Sequence, residues 1–193
     1  MNLATTPIKL TYEDYLEFPE DGSRHELVEG DHVVTPAPNM RHQIIQANLF
    51  RFVGSFVHDQ GLGRVLSAPT DVVLSEHDVV QPDLLFVARE HLDRIGEAHL
   101  AGAPDLVVEI LSEATRRRDE VLKRHLYERY GVGEYWLVDP VIEAVKVLRR
   151  SRQADQDDDA GFERLPELTA EAVDLLSSPL LPGLEIPLTE IFG

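Results

Sequence analysis

The chain has 193 residues, 43% of them hydrophobic, and a formal net charge of −17 from 35 Asp and Glu against 18 Lys and Arg. That length and apolar content predict a single domain, residues 1–193, with a sizeable core, and exclude a disordered chain. The absence of cysteine excludes disulfides and thiolate metal sites and fits a reducing cytoplasm; no apolar stretch approaches the roughly 18 residues of a membrane span, and Met1 to Leu10 shows no secretory signal pattern.

Thr11 reads as the N-cap of a short helix that must stop before Pro19. Residues 24–28 and 32–35 flank Glu29-Gly30-Asp31 and predict a β-hairpin. Pro36-Ala37-Pro38-Asn39 breaks the pattern and leads into a long helix. There Ile44, Ile45, Leu49, Phe52, Val53, Phe56 and Val57 recur at helical spacing, and Gly61 ends the run.

Residues 65–68, 71–74 and 79–87 read as strands, the last two joined by the turn Ser75-Glu76-His77-Asp78. A polar, helix-prone connection over 90–99 precedes a strand over 105–111. A second amphipathic helix is predicted over 116–130, with Leu122, Leu126 and Tyr130 inward, followed by a strand over 134–138. A strand, a helix and a strand in that order predict a right-handed crossover with parallel strands. Residues 144–148 and 162–165 predict a last hairpin around the acidic loop at 156–161. The proline-rich but apolar tail, 179–192, is expected to pack on the body. The fold class is α/β, an α+β arrangement on a mixed sheet.

Two apolar runs each carry one acidic residue: Asp83 within 79–87 and Glu109 within 105–111. Such runs read as central strands. A carboxylate buried there costs several kcal/mol unless it is partnered, often by a metal ion. Asp105 shares a strand face with Glu109 but lies about 13 Å away, too far for one ion. If the strands of Asp83 and Glu109 are neighbours, roughly 5 Å apart, their carboxylates can converge on one cation. Mg²⁺, with Mn²⁺ as a substitute, suits such hard oxygen ligands, and the carbonyl of Ile110 is the simplest additional one.

Asp119, Lys123 and Tyr127 fall at i, i+4 and i+8 on one helix face, which puts Lys123 at the edge of the core. A lysine there can hold or deprotonate an attacking water. Singly, these residues have plainer roles: Asp83 as a strand-end cap, Lys123 as an ion-pair partner of Asp119. The combination points to metal-dependent phosphodiester hydrolysis. Against it stands the acidic balance, because DNA binders usually present a basic surface. The one basic concentration, Arg116-Arg117-Arg118 with Lys123, Arg124 and Arg129, adjoins the proposed site, and Asp155, Asp157, Asp158 and Asp159 are expected on a remote solvent face. His42 is placed either facing the cleft or in a helix-terminal structural role. His25, His32, His77, His91, His99 and His125 read as surface or hydrogen-bonding residues, and no HExxH, P-loop, GxGxxG or GxSxG is present.

Across most of its length the chain resembles the Uma2 family, a branch of the PD-(D/E)XK nuclease superfamily. The resemblance rests on Thr11-Tyr12-Glu13-Asp14-Tyr15-Leu16, Glu26-Leu27-Val28-Glu29-Gly30, Pro36-Ala37-Pro38 with His42, and Val80-Gln81-Pro82-Asp83-Leu84. It continues through residues 104–112, Thr115-Arg116-Arg117-Arg118-Asp119, Lys123, Tyr127 and residues 134–140. It implies an αβββαβ restriction-endonuclease-like core, with an N-terminal hairpin and a C-terminal extension, in which Asp83 and Glu109 bind Mg²⁺. The usual lysine two residues after the glutamate is here Leu111. The resemblance implies that Lys123 on the next helix replaces it and that Glu26 completes the site. The expected function is a Mg²⁺-dependent DNA endonuclease in the cytoplasm, with DNA as partner, no membrane and a homo-oligomeric state. The alternative is a non-catalytic interaction module that keeps the nuclease fold.

Overall fold

The computed structural model describes residues 8–151 and 161–193. Met1 to Pro7 and the acidic residues Asp155, Asp157, Asp158 and Asp159 lie outside the described residues. Helix α1 (Tyr12–Tyr15) begins at Thr11 in a capping box: the Asp14 carboxylate accepts the Thr11 N–H at 2.8 Å, and the Thr11 hydroxyl accepts the Asp14 N–H. Strands β1 (Arg24–Val28) and β2 (Asp31–Thr35) form the predicted hairpin. Its turn residues, Glu29 and Gly30, both have positive φ, as a two-residue turn of matching twist requires.

Helix α2 (Met40–Gln60) starts at Asn39, whose side chain accepts the His42 N–H at 2.9 Å, and stops at Gly61, which takes the left-handed conformation at φ 61°. Ile45, Leu49, Val53 and Val57 are fully buried, with Phe52 and Phe56 half-buried beside them. Ile44 is exposed, so the apolar stripe is narrower than predicted.

Strands β3 (Gly63–Ser67), β4 (Val72–Ser75), β5 (Asp78–Val80) and β6 (Leu84–Ala88) follow. The single strand predicted over 79–87 is therefore two. Pro82 has no N–H for a ladder, and at Gln81-Pro82-Asp83 the chain passes from one sheet into another. A 3₁₀ turn (Arg89–Arg94) and β7 (Leu100–Ala101) lead to β8 (Leu106–Ile110). A π-helical turn (Arg118–Lys123) then runs directly into α3 (Arg124–Arg129). The π turn carries an extra residue per turn and disrupts the 3.6-residue stripe. Leu126 stays inside and Tyr130 is half-buried, but Leu122, predicted inward, is exposed. Lys123 and Asp119 take the interior instead. The chain ends with β9 (Glu134–Asp139), β10 (Ala144–Arg150), β11 (Phe162–Arg164), β12 (Leu168–Thr169), β13 (Leu175–Ser178), β14 (Leu181–Pro187) and α4 (Leu188–Phe192).

The larger sheet has the order β11-β10-β9-β8-β6-β3, with β12 also on β10. The β8–β9 pair is parallel, as predicted, and its other pairings are antiparallel, so the sheet is mixed. In chain order α2, β3, β6, β8, α3 and β9 give the expected αβββαβ core. The smaller sheet, β2-β1-β5-β4-β7, is assembled from the N-terminal hairpin and the strands inserted between core strands. Both faces of β8 are covered, which explains its continuous apolar run. Leu106, Val108 and Ile110 pack with α2, Trp136 and the C-terminal segment, whereas Val107 packs with Val28, Val80, Leu126 and Tyr127. Glu109 alternates onto the face of Val107. The apolar tail packs on the body as predicted, as a hairpin and a helix: Arg41 donates to the Phe192 carbonyl and Asn48 to that of Ile191. Among the described residues no helix is long and apolar enough to cross a membrane.

Candidate active site

Strand β6 runs antiparallel to β8 with Leu84 opposite Val108, which sets Asp83, the residue leading into β6, level with Glu109. The two carboxylates line one cleft of about 440 Å³, and Glu26, Lys123, Asp119 and His42 line it too. All six of these residues are buried. Asp83 is thus not inside a strand, as predicted, but at the crossing between sheets.

Lys123 is the hub on one side. Its ammonium donates to Glu26 Oε1 at 2.7 Å and to Glu109 Oε1 at 2.8 Å, and lies 3.9 Å from Asp119 Oδ1. Instead of sitting at the edge of the core, it is 2% exposed. Glu26 comes from β1, where its Oε1 also accepts the Gln81 N–H at 2.8 Å. Tyr127, one turn beyond Lys123, donates to Glu109 Oε1 at 3.1 Å. Burial raises the Glu109 carboxyl to about 8, against the opposing pull of Lys123. Burial disfavours the Lys123 charge, but Glu109, Glu26 and Asp119 outweigh it and hold the ammonium above its usual range. Lys123 is therefore held as a positive charge between the carboxylates.

Asp83 forms the other side. Its Oδ2 accepts the Ile110 N–H at 2.8 Å and is 3.0 Å from His42 Nε2, while Oδ1 takes Arg24 Nη1 at 2.5 Å. Burial works against its charge, yet His42 and Arg24 more than offset this and lower its pKa. Ile110, singled out for its carbonyl, contributes its amide here. His42 does face the cleft, and the Asn39 cap that starts α2 fixes where it sits. Arg24 was not singled out from the sequence. The signal was there: it lies two residues before Glu26 in one strand, hence on the same face.

Among the described residues no group of three or more His, Asp or Glu side chains is gathered as a ready-made metal cage. The donor chemistry nonetheless fits a hard cation. Both hydrogen bonds to Glu109 go to Oε1, and both bonds to Glu26 likewise, which leaves the second oxygen of each without a hydrogen-bond partner among the described residues. Mg²⁺ is held in this way, by one or two carboxylate oxygens and several waters. The basic run is less available than its composition implies. Arg116 pairs with Asp139, Arg124 with Glu128 and Arg129 with Glu29, and Arg118 donates to the Thr35 hydroxyl; Arg117 is exposed. The run is a set of ion pairs more than an open patch.

The family model of Uma2, described as "Putative restriction endonuclease", matches residues 12–189. The chain belongs to the Uma2 family. A crystal structure described as that of "a putative nuclease belonging to DUF820 from Anabaena variabilis" superposes with a TM-score of 0.75 over 96% of this chain and 98% of that one, at 23% identity. That likeness establishes a shared nuclease-like fold. No curated protein matches the chain. Membership of Uma2 supports nuclease chemistry as the broad reading of the cleft.

Proposed function

We propose that this Uma2 protein is a Mg²⁺-dependent DNA endonuclease of the cytoplasm that hydrolyses phosphodiester bonds, with Mn²⁺ able to replace Mg²⁺. The observation that carries the reading is the convergence of Asp83, Glu109, Glu26 and Lys123 in one cleft, drawn from two sheets and a helix. Asp83 and Glu109 would hold the cation through carboxylate oxygens, with the Ile110 carbonyl as a further ligand. A bound divalent cation lowers the pKa of water and stabilises the negative charge of the transition state. Lys123, fixed between Glu26 and Glu109, orients the attacking water. Glu26 holds Lys123 in place. Arg24 and Arg118 line the same cleft and supply positive charge near the phosphate path despite the acidic whole.

The test pairs calorimetry with cleavage. Wild type should bind Mg²⁺ or Mn²⁺ and cut DNA in its presence. Asp83→Asn and Glu109→Gln should lose both, with their circular dichroism unchanged. The non-catalytic module is favoured by one observation, the direct pairing of Lys123 with Glu26 and Glu109 and of Arg24 with Asp83, which gives these carboxylates cationic partners from the protein itself. Wild type that cuts no DNA of any form with either metal would replace the enzyme by that module. Light scattering tests the homo-oligomer included in this proposal.

A further inference from the structure

We propose that Arg24 is a movable counter-ion of this site, resting on Asp83 before a divalent cation binds and turning to the substrate phosphate afterwards. The inference rests on the reading of the cleft as a metal-dependent nuclease site. Asp83 is 2% exposed, and a carboxylate so placed needs compensating charge. Its two oxygens are served differently. Oδ2 is held by the Ile110 amide and by His42 on the first turn of α2, both fixed by secondary structure. Oδ1 is held by Arg24 Nη1 alone.

Arg24 can leave where Lys123 cannot. Lys123 is closed in by two carboxylates and makes close contacts with both. Arg24 stands at the first position of β1 with its side chain 18% exposed at the cleft wall. Its guanidinium spends one N–H of its five on Asp83 and makes no other hydrogen bond among the described residues. A guanidinium is suited to two parallel bonds with a carboxylate or phosphate, so this single contact leaves most of its donor capacity unused.

The same oxygen has two claimants. A cation shared by Asp83 and Glu109 needs an outward oxygen from each, and on Asp83 the one not committed to the backbone is Oδ1. Cation entry therefore competes with Arg24. Once displaced, the guanidinium stays at the cleft wall with its fork free for phosphate oxygens. Metal and DNA are thereby coupled: the metal releases the residue that grips the substrate, and Asp83 holds that residue until then.

Calorimetry with Mn²⁺ and anisotropy with a short fluorescein-labelled duplex, read before cleavage accumulates, test this. Arg24→Met should raise Mn²⁺ affinity roughly tenfold or more, because a competing positive charge has gone. It should also abolish the gain in duplex affinity that Mn²⁺ gives wild type. Arg24→Lys keeps the counter-charge and protects the fold, but a lysine offers no fork, so most of that gain should be lost there too. Unchanged or weaker Mn²⁺ binding in a folded Arg24→Met would overturn the displacement. A full metal-dependent gain in Arg24→Lys would overturn the grip on phosphate. Wild type that takes up neither Mn²⁺ nor Mg²⁺ would bring down the metal reading itself, a result distinct from either.

Discussion

The ammonium of Lys123 is surrounded by three carboxylates, and two of them, Glu26 and Glu109, lose their counter-ion if it is removed. Lys123→Ala should thus act twice. Cleavage should fall by roughly 10²-fold or more, the scale of a lost group acting on the reacting water. Stability should fall by about 3–5 kcal/mol, the scale for breaking a buried ion pair, above about pH 8 where Glu109 is ionised, and by less below it where Glu109 already holds a proton. Mn²⁺ affinity should hold or rise, because a cation has left a cation site. Lys123→Arg should rescue poorly: the planar guanidinium does not fit a slot closed by two carboxylates and Tyr127. Activity, urea melts and calorimetry on the same preparations separate these effects. A lysine that merely attracts DNA would instead show a modest loss, rescued by arginine and erased by salt.

Helix α2 brings core packing and the cleft together, since its buried stripe anchors the body and its first turn positions His42. Ile45→Ala should cost about 2–5 kcal/mol, and Ile44→Ala, one residue away on the exposed side, within about 0.5 kcal/mol, both read by urea denaturation. Asn39→Ala should cost about 1 kcal/mol and Asn39→Asp should restore it. Much of this level was legible in the sequence. Periodicity and punctuation marked α1, the hairpin, α2 and the parallel β8–β9 pair, because caps, glycines and apolar spacing are local signals. The split of 79–87 was only half legible: Pro82 marks a break in any ladder, but nothing local says that the two halves join different sheets. The π turn was not legible, since the partners that Lys123 meets inside, Glu26 and Glu109, lie on strands remote from it in sequence. Regular helical spacing therefore points Leu122 inward, where the π turn leaves it exposed. At the site, the carboxylates stood out as charges in apolar runs. Arg24 and its grip on Asp83 did not, because that contact spans 59 residues of sequence.

Over the whole molecule, the buried carboxyl of Glu109 should leave a signature in the pH dependence of stability. The folded state holds its proton more tightly than the unfolded chain does. Its contribution is complete below the ordinary carboxylate range and is lost as pH rises through about 8. Asp83, whose pKa is lowered, acts in the opposite direction, and its contribution is lost only as pH falls below that range. In chelator the melting temperature of wild type should thus decline from about pH 5 to pH 8, and Glu109→Gln should flatten that slope. A scan of melting temperature against pH checks both. The crossing of the chain from the smaller to the larger sheet at Gln81-Pro82-Asp83 also decides when the cleft is complete. Arg24 and Glu26 arrive with the smaller sheet, Glu109 with the larger one and Lys123 with the helical turn that follows it, so no half-built molecule owns the complete set. If the cleft is the proposed nuclease site, a nascent chain, or one partly unravelled by heat, holds no working copy of it: docking of the two sheets serves as the safety catch.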